Sequence, residues 1–447
     1  MADILIKGGL VGTQDSNRRV FPDGAVAITG NKIVAVGPTA EIEKAYSAEK
    51  VIDASGKIVM PGMICTHTHM PSVVGHNMPV DYSKFRAFMD LLTKWWWPDI
   101  EEASTYESIY WCSLWAGAKM LKTGTTTVVD MVEAPTVVDG CLDVSADAVM
   151  KLGSRAVICY ESTERISKEN ARAGINENVR FFKKYKDDPE SRVSGRMAVH
   201  TVYTASEEML REVRGLATDL GAGIKIHVAE VPPPLVIEKF GRTAPFVLQD
   251  TGFLGPDVLA VHCINMNSEE IALWRDHDVK VAHTPMSNML GGNGVAPIVE
   301  MLNEGITVSL GHDCFFTLDL FQYIRMAYLL HKVHHHNPGV IPSFQAIDFV
   351  TTNAAKAIQK ENEIGSLEVG KKADVLIIKP EQPSPLLPQV FFDTLINDVD
   401  GANVETVLVD GKIVVDHHKL VNVDEEEIQR KAIEETTKIW KKAGSIQ

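Results

Sequence analysis

The sequence predicts an α/β protein: a parallel (β/α)8 barrel with a small β domain assembled from both ends of the chain. Three observations carry this. The chain has 447 residues, roughly three common domain lengths, so a single large core requires a fold that runs to about 250 residues or more. Eight short apolar runs alternate through the middle with amphipathic helical stretches, the pattern of parallel βαβ units. Short strands with tight-turn punctuation occur at both ends.

From the N-terminus, strands are expected at 3–6, 25–28, 33–36 and 50–52, with Gly30-Asn31-Lys32 turning the chain between the second and third. The barrel, 58–362, takes strands at 63–67, 126–130, 156–160, 197–200, 224–228, 258–262, 279–283 and 307–310. A doubly wound sheet is the alternative, but no glycine-rich phosphate loop follows the first of these strands. Strand grammar returns at 373–378, 404–409 and 413–415, around the turn Asp410-Gly411. Residues 1–57 and 363–423 are therefore read as one composite domain. A charged amphipathic helix follows within 424–447.

Composition narrows the function. Hydrophobic residues make up 45% and charged residues 23%, which excludes a disordered or fibrous chain. The formal charge of −15 argues against a nucleic-acid partner and for a small molecule. Cys65, Cys112, Cys141, Cys159, Cys263 and Cys314 form no Cys-x-x-Cys pair, and the N-terminus lacks a signal-peptide core, so a reduced, cytoplasmic protein is expected. No uncharged apolar run of about 18 residues is present to span a membrane.

Fifteen histidines hold the chemical signal. In Cys65-Thr66-His67-Thr68-His69 the i, i+2 spacing puts both imidazoles on one face, at the C-terminal end of the first barrel strand, where barrel enzymes place their sites. His227 points inward from the fifth strand, between outward Ile226 and Val228, and Glu230 falls just beyond it. His262 ends the sixth strand and Asp313 follows the eighth. Three imidazoles (His67, His69, His227) and one carboxylate (Asp313) suit one Zn²⁺, or alternatively Fe²⁺, with a position left for water. Asp313 is placed to accept that water's proton, Glu230 to protonate a leaving group and His262 to hydrogen-bond the nucleophile or the developing charge. The chemistry expected is hydrolysis by metal-bound hydroxide.

Pro61-Gly62-Met63-Ile64-Cys65-Thr66-His67-Thr68-His69, His227-Val228-Ala229-Glu230, Ser287-Asn288-Met289 and Gly311-His312-Asp313 resemble the amidohydrolase superfamily. Within it the chain is similar to the chlorohydrolase and aminoazaheterocycle deaminase group, in particular its SsnA-type and triazine hydrolase-like branches. The resemblance implies a distorted TIM barrel with a composite β-sandwich, a single metal on the four ligands above, Glu230 as acid/base, His200 at substrate and a homo-oligomer, a dimer or higher. His200 also stands where a metal-bridging lysine would be needed for a second ion. Adenosine-type members carry a tryptophan and a glutamate around the proline of the loop after strand 1. Here those positions read Leu91 and Ile100 around Pro98, with Glu101 one residue late, and Tyr160 replaces the first of their arginines.

The activity expected is metal-dependent hydrolytic deamination of an amino-substituted nitrogen heterocycle, a purine, pterin, pyrimidine or triazine, with release of ammonia. Dechlorination or dealkylamination of a triazine-like ring, lactam hydrolysis and a catalytically silent barrel are the alternatives. Glu230 favours an amine as leaving group, since ammonia needs a proton and chloride does not. Further substrate contacts are assigned to His283, Glu101 and one indole of Trp95-Trp96-Trp97, taken as Trp97. Lys225, inward below His227, is expected to pair with a buried carboxylate. His331, His334, His335 and His336 read as a polar helix end, and His76 as a loop residue near the site.

Overall fold

The computed structural model describes residues 1–188, 190–313 and 316–447; Cys314 lies outside them. Eight parallel strands form the barrel: β1 (Met63–Thr68), β2 (Thr125–Val132), β3 (Arg155–Tyr160), β4 (Met197–Thr201), β5 (Ile224–Val228), β6 (Val258–His262), β7 (Lys280–His283) and β8 (Val308–Leu310). They fall where the apolar runs predict, within two residues at either end. β1 to β3 make one hydrogen-bonded arc and β4 to β8 another. Parallel bridges Ser162–Val199 and Thr68–Asp313 join the arcs at two seams, which is the distortion of the ring.

Alternation decides what each strand shows to each side. Ile224, Ile226 and Val228 of β5 join the outer core shared with the helices. Ile64, Val129, Val157, Leu259, Val261 and Ala282 face inward and cluster with Ala354, Ala355 and Ala357. The last three belong to the short helix Thr352–Ala357, so small alanine side chains pack the barrel interior below the site.

Both chain ends meet in one nine-stranded sheet. Its order runs Lys419–Leu420, Lys412–Asp416, Val404–Val409, Val375–Ile378, Ile58–Pro61, Ala2–Gly12, Val20–Thr29, Lys32–Pro38, with Ala48–Asp53 pairing alongside Ala2–Gly12. One apolar cluster, including Ile4, Ile6, Val26 and Ile377, packs against it, and a second gathers Leu5, Ala25 and Ala27, of the opposite parity, with Ala2. Strand Ile58–Pro61 pairs antiparallel with Val375–Ile378 and runs directly into β1 through Gly62. The first metal-ligand candidates are thereby tied to the sheet.

The C-terminal helix Glu425–Lys442 starts at Asp424, whose carboxylate accepts from the amides of Glu426 and Glu427. It packs on helix Tyr106–Lys122, where Trp115 Nε1 donates to Gln429 and Lys122 pairs with Glu425. Among the described residues no helix is long and apolar enough to cross a membrane.

Candidate active site

Irregular backbone at the C-terminal ends of the strands builds the site. In β1, Cys65 pairs with Val128 and Thr68 with Asp130. Three steps thus oppose two, a bulge that reverses the alternation after Cys65 and turns His67 and His69 into the barrel. His227 needs no such device, because it shares the inward parity of Lys225. His262 does: Val258 and Ala260 face the outer core, so a regular β6 would point His262 outward. Its φ of 69°, followed by 51° at Cys263, swings the imidazole back over the barrel mouth. Ala229 and Asp313 adopt the same left-handed region, with φ of 51° and 65°, a sparsely populated backbone that concentrates at functional sites. Gly311 is required for a different reason: an added Cβ would lie 2.6 Å from the Cβ of His67.

The rings of His67, His69 and His227 lie 4.7 to 5.5 Å apart. Backbone carbonyls fix two of them. His69 Nδ1 donates to Met131 O at 2.7 Å and His227 Nδ1 to His200 O at 2.9 Å, so each Nε2 keeps its lone pair for the cavity. His67 Nε2 and His69 Nε2 lie 3.1 and 3.4 Å from the same Asp313 Oδ1. Such separations leave room for these atoms to hold one ion through bonds of about 2.1 Å. Burial holds His67 and His227 well below the usual imidazole range, in the unprotonated form a metal needs. For Asp313 burial works upward, but hydrogen bonding, first from His67, outweighs it and holds the carboxyl well below its ordinary value. Asp313 also accepts from Ser287 Oγ. This donor set fits one divalent metal ion.

Around it stand the groups that could move protons. Glu230 Oε1 lies 3.5 Å from His262 Nε2. Burial, then the charge of Asp313, pushes its carboxyl well up, toward the protonated form. His262 Nδ1 donates to Asn288 Oδ1 at 3.0 Å, and Thr284 Oγ1 braces the same oxygen at 3.0 Å. The far wall is acidic. Glu101, Glu133 and Glu161 bring carboxylate oxygens within 4.8 Å of one another, all buried. Glu101 is pushed up to about 7 by burial against the pull of Arg165, and burial with mutual repulsion raises Glu133 and Glu161 well above the ordinary carboxyl range. The space among these side chains measures about 30 Å³. Phe88 separates it from an outer cleft of about 470 Å³ lined by Tyr82, Phe85 and Leu290.

The structure brings together His67, His69, His227, His262, Asp313, Glu230, His200 and Glu101. It does not bring in His283. Val281 of β7 faces the outer core, His283 shares that parity, and its Nε2 lies 3.3 Å from His331 Nε2 on helix Leu320–His334. Trp97 sits one layer back, under the Arg165 guanidinium at 4.4 Å and edge-on to His200 at 6.2 Å. Trp96 is the indole on the cavity, with Nε1 donating to Glu133. Both lie in the π-helical segment Leu92–Glu101, interrupted by Pro98, whose wider turns shift which residue faces inward. Lys225 donates to the carbonyl of Val129 rather than to a carboxylate. Sequence reasoning missed Glu133, Glu161 and Arg165. The signal was available for the first two: each glutamate directly follows the last residue of its strand, β2 and β3.

Comparison with known proteins places the chain. The amidohydrolase family model matches residues 58–414, and a composite-domain model of imidazolonepropionase-like proteins matches residues 24–46. A 5'-deoxyadenosine deaminase of Methanosarcina acetivorans is 36% identical over 97% of both chains. A 5-methylthioadenosine/S-adenosylhomocysteine deaminase of Pelotomaculum thermopropionicum is 32% identical over 97% of this chain and 98% of its own. Among solved structures, a zinc-bound adenosine deaminase from Xanthomonas campestris superposes with a TM-score of 0.89 at 24% identity, over 98% of both chains. A zinc complex of atrazine chlorohydrolase from Arthrobacter aurescens reaches 0.82 at 23%, over 97% and 100%.

Proposed function

The chain belongs to the amidohydrolase family and is a hydrolase of C–N bonds, and from that premise we propose that it deaminates an aminopurine-type heterocycle by metal-dependent hydrolysis. The observation that carries the reading is the convergence of His67, His69, His227 and Asp313, with Glu230 and His262 beside them on one cavity. A divalent ion on those four residues, zinc by preference for its nitrogen-rich donor set, supplies Lewis acidity and lowers the pKa of water.

The remaining work falls to the chain. Ser287 and the β1 imidazoles fix the Asp313 carboxylate in its unprotonated form, able to take the proton of the attacking water. Water adds to the ring carbon bearing the amine. Glu230, whose buried setting favours the protonated form, delivers its proton to the amine nitrogen as the C–N bond breaks and ammonia leaves. His262, its tautomer set by Asn288, directs an unprotonated Nε2 at the same space, where it accepts a hydrogen bond from the attacking water and orients it. His200 borders the ring.

Ammonia release from aminopurines, pterins, cytosines and triazines by the zinc-loaded chain tests the reading. Turnover of an aminopurine is expected, falling about 10²- to 10⁴-fold in Glu230→Gln. Silence across all four classes, or an undiminished Glu230→Gln, overturns it.

A further inference from the structure

The carboxylates on the cavity are unequally matched. Arg165 answers two glutamates, Glu101 at 2.5 Å and Glu102 at 2.6 Å. Among the described residues no lysine or arginine lies within ion-pair distance of Glu133, Glu161 or Glu230; their charged-group neighbours are His69, His200 and His262. Glu133 accepts from Ser72 Oγ and Trp96 Nε1. Glu161 is 2% exposed, and its Oε2 has no hydrogen-bond partner. Its other oxygen lies 3.5 Å from His200 Nε2, and the carboxyl of Glu133 is beside it. A buried acceptor left unmet costs stability unless a ligand meets it.

Charge arithmetic points the same way. With Glu230 carrying its proton, Glu101, Glu133, Glu161 and Asp313, when ionised, exceed Arg165 and one divalent ion together by one negative charge. Ligand atoms of Glu161 also lie within 4.8 Å of those of His69 and His227, so a group bound at the unmatched wall is next to the reacting carbon. The indole of Trp96 flanks the carboxylates, and aromatic faces beside buried carboxylates suit an organic cation.

We infer that the substrate is an amino-heterocycle that also carries a cationic, N–H-rich group, an ammonium, amidinium or guanidinium, which Glu133 and Glu161 receive beside the scissile amine. This deepens the deaminase reading and rests on it for the reacting ring only. A neutral nucleoside leaves Glu161 unmatched, and a ligand whose carboxylate faced this wall would be repelled.

Calorimetric binding to the zinc-loaded chain tests it without turnover. The probes are aminopurines bearing an aminoethyl group at successive ring positions, each paired with its neutral hydroxyethyl counterpart. At least one cationic member is expected to bind about 30-fold more tightly than its counterpart, as a buried charge partner does. Glu133→Gln and Glu161→Gln, which keep the shape of the side chain, should each shrink that preference to below about threefold. Equal or tighter binding of every neutral member to the native chain overturns the inference, and so does a preference that survives both substitutions. Metal analysis giving about two ions per chain, the second lost in Glu161→Gln, also overturns it, in favour of a second cation at the wall. Ammonia release is scored separately: charge-selective binding without ammonia defeats the deaminase reading alone, and ammonia without charge selectivity defeats this inference alone.

Discussion

At the barrel mouth the rings of His67, His69 and His227 lie 4.7 to 5.5 Å apart, and behind β7 those of His283, His331, His335 and His334 follow one another at 5.2, 6.4 and 5.0 Å. Ring spacing hardly separates the two groups. Their other nitrogens do. At the mouth, Nδ1 of His69 and of His227 is committed to a carbonyl, and Asp313 offers a carboxylate to two Nε2 atoms at once. Behind β7, His283 and His331 turn Nε2 toward each other, both their Nδ1 atoms are unpartnered, and the carboxylate of Glu300 is 3.9 Å from His335. The proposed metal-ligand set is thus marked by two fixed tautomers and a shared carboxylate rather than by histidine density, while His67 Nδ1, too, is unpartnered.

Replacing a ligand at the mouth should break the first group outright. His227→Ala removes one of four proposed ligands and leaves the His200 carbonyl without its donor. Bound zinc should fall from about one ion per chain to a small fraction of that, with activity lost in parallel. Zinc retained at full occupancy in this variant would remove His227 from the ligand set. A smaller loss is expected from Ser287→Ala, which takes away only the hydroxyl that orients Asp313. Groups of this kind are worth about 10- to 100-fold in metal affinity or activity, readable by competition with a chelator.

Much of this contrast could be read from residue order, and the failures share a cause. Alternation correctly put His227 inward, because β5 is regular. The same rule applied to Val281 would have put His283 outward, against the helices, where it is. It would also have put His262 outward, wrongly, since a left-handed φ at a non-glycine residue leaves no trace in hydropathy. The β1 bulge escaped for the same reason, though the i, i+2 relation of His67 and His69 survives it. Glu133 and Glu161 each directly follow an apolar strand, a position that is a signal, but a single acid there marks a site only once the barrel gathers β2 and β3 beside the histidines. Lys225 found a carbonyl because the inward backbone edge of β2 was already there.

The second histidine group gives the smallest effect, and one with a sign. Burial, then the charges of His335 and His334, pushes the His331 imidazole from 6.5 down to about 4. A base depressed in the folded state binds its proton more readily when unfolded, so between those two values the unfolded chain gains protons the native one refuses. The native state is then favoured above pH 6.5 and loses stability as pH falls toward 4. For one such group the loss between pH 7 and pH 5 is about 2 kcal/mol. His331→Leu should remove that share of the acid limb in urea unfolding. At pH 7 the variant should be less stable by about 1–3 kcal/mol, because His283 keeps a buried nitrogen without its partner. Zinc content should not change. If His331→Leu instead emptied the metal site while the acid limb kept its slope, the two histidine groups would be one system and the contrast between them would fail.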